Sequence, residues 1–270
     1  MSTPHIRKYL REHPQNPTGI QNRIPIRISD SKGFTLRNNC PHFTFPFELW
    51  CILRARTTQL VDIVKNRIEK EIIRHKRIAI YFWSGICDLK EKTRKYIRLR
   101  NKTLKTVDNI IQEHQRLLNY VEKFGSEVTI TIVDCPLLSI QKWNSHFKPN
   151  KRTSKTKIEE DINEDTILTK QLSILNKKIW ELNINIGNKP IKTSQFYFRT
   201  RGNKRKPGRY SVKISLNTQD GVPPGKLICL KITKLLLLDS YKQCYTSVPN
   251  KEILQVLVEE KELLTLAYVR

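Results

Sequence analysis

The distribution of apolar positions divides the chain into alternating strand-like and helix-like segments. Residues 23–29 (RIPIRIS) alternate and are β-branched, which predicts a strand, and DSKG at 30–33 predicts a turn. Over 56–75, Leu60, Val61, Val64, Ile68 and Ile72 recur at near-helical spacing, which predicts an amphipathic helix. RIAIYFW at 77–83 is a short continuous apolar run, as expected of a strand covered on both faces. Residues 101–124 place Leu104, Val107, Ile111, Leu118 and Val121 on one helical face, and EVTITIV at 127–133 reads as a third strand. A third helix is predicted over 164–186 through Leu168, Leu172, Leu175, Ile179 and Ile186. Residues 187–209 read as a long Gly-, Lys- and Arg-rich loop with a short strand near 195–198, and Gly225–Tyr241 as a fourth helix. Residues 1–22 carry prolines and charges without periodicity and read as a disordered basic arm.

Strands that alternate with helices predict an α/β three-layer sandwich around a mainly parallel sheet, in the flavodoxin-like manner. One domain over 23–245 accommodates the pattern. Residues 246–270 form a C-terminal extension whose type the pattern does not decide. In such folds sites collect in loops at the carboxyl ends of the strands.

Charge sharpens the picture. Fifty Lys and Arg against 25 Asp and Glu leave +25 in 270 residues. Such a surface favours nucleic acid or other polyanions as partners. The six cysteines include no CxxC pair, and Cys40, His42 and Cys51 lack an evident fourth ligand, so no metal and no cofactor is expected. The polar N-terminus resembles no signal peptide, and no apolar run is long enough to span a membrane, because Lys231 and Lys234 interrupt the longest. An intracellular protein, cytoplasmic or nuclear, with reduced thiols is the expectation.

Three loops carry candidate chemistry: Ser29-Asp30-Ser31-Lys32-Gly33 after the first strand, Ser84-Gly85-Ile86-Cys87-Asp88 after the second, and Asp220-Gly221-Val222-Pro223-Pro224 before the last helix. Asp30 and Ser31, or Asp220, could equally serve as helix caps.

Their order resembles the SGNH hydrolases, also called GDSL-type esterases, and most closely a set of invertebrate SGNH-like proteins. The likeness covers about residues 23–245 and includes Trp50-Cys51, Ala55-Arg56, Gly85-Ile86-Cys87-Asp88-Leu89 and the Pro136–Asn144 stretch with Trp143. The resemblance implies Ser31 as nucleophile, Asp220 as the carboxylate that orients a base, and Gly85 and Cys87 in the oxyanion region. The departures are specific. Ser29 replaces the glycine of the first block, Arg54 stands where the second-block glycine would be, Cys87 replaces an asparagine, and Pro223 replaces the base histidine. A serine hydroxyl without an adjacent base is a poor nucleophile, and a thiol is a weak donor. His42, His75, His114 and His146 are the histidines available as substitutes.

Two basic clusters stand apart from these blocks. Arg199, Arg201, Lys204, Arg205, Lys206 and Arg209 lie between Tyr197 and Tyr210, and Lys148, Lys151, Arg152, Lys155 and Lys157 lie in a polar loop. Guanidinium-rich loops flanked by aromatics can grip phosphates and stack on bases.

The sequence therefore favours an SGNH-like domain that lacks efficient esterase activity and acts by binding. A weakly active serine esterase using Ser31 is the second reading. The third is a mobile-element-derived protein that binds RNA or DNA, since SGNH-like domains also occur in some LINE retroelements.

Overall fold

The structure, a computed structural model, describes residues 3–12, 17, 19–39, 47–147, 155–200, 210–212, 217, 221, 222 and 224–246. In chain order these form α1 (Thr3–Arg11), β1 (Ile20–Gln21), β2 (Ile24–Ser29), α2 (Ser31–Asn39), β3 (Glu48–Cys51), α3 (Thr57–His75), β4 (Ile78–Trp83) and α4 (Ile86–Leu89). There follow β5 (Lys90–Thr93), β6 (Tyr96–Leu99), α5 (Lys105–Val121), β7 (Val128–Ile132), α6 (Ile140–His146) and α7 (Lys155–Asn185). Last come β8 (Phe198–Thr200), β9 (Tyr210–Val212), α8 (Lys226–Cys244) and β10 (Tyr245–Thr246).

The central sheet is four-stranded and parallel, in the order β3-β2-β4-β7. Its registers include Ser29 opposite both Cys51 and Trp83, which levels the carboxyl ends of three strands. All six β4 residues are buried, as a strand covered on both faces requires. α3 turns Leu60, Val61, Val64 and Ile68 into the core and packs beside α5 on one face of the sheet. α2 and α8 pack together on the other. Strand order reverses between β2 and β4, the switch point where α/β sheets place ligands.

An exposed edge strand normally invites unwanted pairing. Here asparagines on and after α7 cover the free edge of β7. The Asn183 amide brackets the Ile132 N–H (2.9 Å) and C=O (2.8 Å), and Asn188 donates to the Ile130 carbonyl at 2.6 Å. Asn176 does the same for Cys135.

Several expectations need correction. Instead of a disordered arm, Thr3–Arg11 is a helix on α8: Ile6 is fully buried, and Lys234 donates to the Tyr9 and Glu12 carbonyls while its ammonium lies 4.2 Å from the Tyr9 ring centroid. Tertiary contacts supply what local periodicity lacked. The predicted turn at 30–33 is the first turn of α2. The predicted loop over 148–157 is helical from Lys155 onward. Near 195–198 the chain forms a 3-10 turn (Ser194–Tyr197), and the strand begins at Phe198. The edge strand β3 and the β5–β6 hairpin were not anticipated, because both are short and mixed in polarity. The C-terminal extension from 247 onward lies outside the described residues.

Candidate functional site

β2 ends at Ser29, and the next residue, Asp30, caps α2. Its Oδ1 accepts the Lys32 N–H at 2.9 Å, and its carbonyl accepts the Gly33 N–H at 3.1 Å. Gly33 is required by crowding, since a Cβ there would sit 2.2 Å from the Cys51 sulfur at the end of β3. Beneath the turn lies Arg27, fully buried, whose Nη2 donates to the Gly33 carbonyl at 2.9 Å. Ser31 is thereby held at the start of α2, half-buried, on the carboxyl side of the sheet. Among the described residues its hydroxyl makes no hydrogen bond.

The carboxylate beside it is fully engaged. Asp30 Oδ2 pairs with Lys32 Nζ at 2.5 Å, and both side chains are buried. Burial drives the Lys32 ammonium toward neutrality, but the Asp30 carboxylate outweighs it and the net shift is upward. Cys87 also points at Asp30, its thiol donating to Oδ2 at 3.4 Å. Burial, reinforced by that carboxylate, pushes the Cys87 thiol up to about 12. Cys87 is therefore a neutral thiol aimed at Asp30.

Gly85 follows β4 with φ 108, a backbone conformation that favours glycine, and a Cβ there would meet the Cys135 sulfur at 3.0 Å. Arg54 adopts φ 60, so the backbone keeps a left-handed turn at a position occupied by arginine.

The candidate histidines that are described go elsewhere. His75 Nε2 hydrogen-bonds Glu48 at 2.9 Å. His146 packs edge-on against Phe147. His42 lies outside the described residues. His114 is fully buried on α5, with Nε2 2.9 Å from Ser84 Oγ. Ser84 lies 3.2 Å from Thr57 Oγ1, which lies 2.8 Å from Asp88 Oδ2. Thr57 has one hydroxyl proton, and the carboxylate takes it. Ser84 can then donate to Thr57 while accepting from His114. Among the described residues His114 Nδ1 has no partner, and a bare acceptor costs less to leave unpaired than an N–H, so the network assigns the proton to Nε2. Protons thus point in series from His114 to Asp88. Burial pushes the His114 imidazole down to about 3, so it is neutral and serves as a donor. Asp88 also accepts the Thr57 N–H at 3.0 Å, so it anchors the first residue of α3.

Asp220 and Pro223 lie outside the described residues, as do Arg201, Lys204, Arg205, Lys206 and Arg209. The described neighbours Asn217 and Gly221 lie beside the start of α6. Ser139 N–H donates to the Gly221 carbonyl at 3.1 Å, and Asn217 Nδ2 donates to the Leu137 and Gly221 carbonyls. Trp143 packs against Phe147 and donates to the Lys95 carbonyl, so it is a packed aromatic.

Sequence reasoning missed Lys32 as partner of Asp30 and missed the Ser84–His114 pair. A signal for the second existed: His114 occupies the apolar face of its helix between Ile110 and Leu118.

No family model matches the chain, and no curated protein matches it. Solved structures do. A protein from Bacteroides fragilis assigned as an acylhydrolase superposes with TM-score 0.52 at 8% identity, over 90% of this chain and 98% of that one. A lipase/acylhydrolase from Enterococcus faecalis gives TM-score 0.42 at 12% identity, over 84% and 100% of the two chains. Phospholipase A1 from Streptomyces albidoflavus gives 0.40 at 10% identity, over 80% and 98%. At such identities only the fold is carried across, and the first match carries it. The chain has an SGNH/GDSL hydrolase-like α/β fold, and no helix among its described residues is long and apolar enough to cross a membrane.

Proposed function

We propose that this SGNH/GDSL hydrolase-like domain works by binding and lacks efficient ester hydrolysis. The observation that carries the reading is the state of Ser31. Its hydroxyl has no hydrogen-bonded base among the described residues, and the adjacent Asp30 carboxylate is saturated by Lys32 and Cys87. The block that would supply a histidine has Pro223 instead. Losing one triad member in serine hydrolases leaves only ~10³–10⁴ over water. The test is hydrolysis of p-nitrophenyl acetate by the purified chain beside its Ser31→Ala variant. Equal rates are expected. A rate that vanishes in Ser31→Ala would overturn the proposal in favour of a weak esterase using Ser31, with Asp220 orienting a recruited base.

The ligand class we infer is a polyanion, nucleic acid included. The net charge of +25 supports this, as does the placement of the basic run. Thr200 pairs with Tyr210 across β8 and β9, so Arg201, Lys204, Arg205, Lys206 and Arg209 fall on the connection between two paired strands. Five phosphate contacts from that connection predict a log–log salt slope of about −3.5 on single-stranded RNA. Replacing all five with Ala should flatten the slope; binding that is insensitive to both salt and replacement would refute the inference.

A further inference from the structure

The sheet edge opposite β7 carries a second cluster of polar groups, unconnected with the serine turn. β3 is the edge strand, and its first residue, Glu48, pairs with Ile26, three residues before the level of Ser29 and about 10 Å below it. α3 descends past this edge. Glu71 and His75 are four residues apart in its last turns and so share one face. His75 Nε2 sits between two carboxylates, 2.9 Å from Glu48 Oε1 and 3.4 Å from Glu71 Oε2.

The arrangement is unusual for a surface ion pair. Among the described residues Glu71 Oε2 is buried and makes no hydrogen bond, so its charge is met only by the longer ion pairs to His75 and Arg74. Two carboxylates and an imidazole present one ligand atom each, and these atoms lie within 4.8 Å of one another. Zinc–nitrogen and zinc–oxygen bonds of about 2.0–2.2 Å put adjacent ligand atoms of a tetrahedron ~3.3–3.6 Å apart. The 3.4 Å spacing fits directly, and the 2.9 Å spacing is a hydrogen bond that a metal would replace. Arg74 currently offsets the negative charge, with Nη1 3.5 Å from Glu48 and 3.7 Å from Glu71. Its side chain is 64% exposed, so it can swing out.

We propose that Glu48, Glu71 and His75 form a binding site for a divalent cation of the zinc class, with water completing the coordination. Imidazole and carboxylate donors suit such an ion. Bound there, it ties the edge strand β3 to the last turn of α3. The site departs from the sequence expectation of no metal, because its ligands are spread over two elements and form no motif. It does not depend on how Ser31 behaves.

The test is titration of the chelator-stripped full chain with Co²⁺, followed by displacement with Zn²⁺. One equivalent should bind with visible d–d bands and no thiolate-to-cobalt charge transfer, since no ligand is sulfur. Glu71→Gln and His75→Gln should each weaken binding by ~100-fold or more, given that even outer partners of metal ligands are worth about 10–100-fold. Arg74→Ala should tighten it roughly 3–5-fold by removing a competing cation. That gain cannot arise from misfolding. Three results would each overturn the site: no saturable binding below millimolar Co²⁺, a thiolate charge-transfer band that survives His75→Gln, or weaker binding in Arg74→Ala.

Discussion

Two serines of this molecule divide between them what a serine hydrolase needs in one place. Ser31 sits at the start of α2, where the sequence resemblance puts a nucleophile, but among the described residues no base touches it. Ser84 has a histidine at 2.9 Å, but both are buried and the imidazole is pushed down to about 3. Attack requires an accessible oxygen and a nitrogen able to take its proton. At Ser31 the second is missing among the described residues. At Ser84 access is missing, and His114 spends its proton on the hydroxyl. The contrast teaches that a Ser–His hydrogen bond is not by itself a catalytic feature. Burial, tautomer and the direction of proton donation decide what it does. The same holds for Asp30, whose saturation by Lys32 makes the turn a rigid cap.

The comparison can be broken most forcefully at Asp30. Asp30→Ala would leave the Lys32 ammonium buried without its carboxylate, and about 3–5 kcal/mol of stability should be lost in urea unfolding. Adding Lys32→Met should restore most of it. A mild effect of the single change would mean that the turn tolerates an open Asp30. His114→Ala should cost about 3 kcal/mol, from the cavity beside Phe82 and the hydrogen bond lost at Ser84, while leaving any ester hydrolysis untouched.

The pH profile sharpens the same contrast. The folded state holds His114 neutral down to about 3, below its ordinary 6.5, because it is buried. The unfolded chain therefore binds the extra proton, and stability falls as pH drops from about 6.5 toward 3, at up to ~1.4 kcal/mol per unit. Asp134 acts oppositely. Burial pushes its carboxyl up to about 6 against hydrogen bonds from Ser194, Thr193 and Trp180. Its contribution is greatest below the ordinary carboxylate value and disappears as pH rises through 6. Between about 6 and 4 the two should nearly cancel. In His114→Gln the contribution of Asp134, joined by Asp88, Asp165 and Asp239, whose carboxyls burial also pushes up, is no longer opposed by the imidazole, so stability should rise on acidification across that window. A slope like that of the unsubstituted chain would mean that His114 does not titrate as a buried neutral ring. Smaller effects belong to the exposed side. Arg54→Gly should relieve the left-handed strain at φ 60 and raise stability by up to ~1 kcal/mol. Ser31→Ala should stay within about 0.5 kcal/mol, because its hydroxyl bonds to nothing described.

Strands β2, β4 and β7 and helices α3 and α5 were legible from periodicity, because each buries one continuous apolar face or run. α1 was not, since its stability comes from Ile6 and Tyr9 meeting α8 across the whole length of the chain. β3 was hidden for a similar reason: four residues at a sheet edge carry too short a pattern. At the site, block order was readable and led to Ser31, Gly85 and Cys87. Partnership was not readable. Nothing in DSKG states that Lys32 folds back on Asp30, and the destination of four histidines is a question of three-dimensional packing. The resemblance implied a hydrolase-like fold, which the solved acylhydrolase bears out.

We propose that neither serine is an activated nucleophile, and covalent labelling reads that property out. The full chain would be incubated with a fluorophosphonate probe at neutral pH and its peptides mapped by mass spectrometry. No modification is expected at Ser31 or Ser84 beyond that of a heat-denatured control. Stoichiometric labelling of Ser31 that requires the folded chain would contradict it, and would show that a base reaches the serine from outside the described residues.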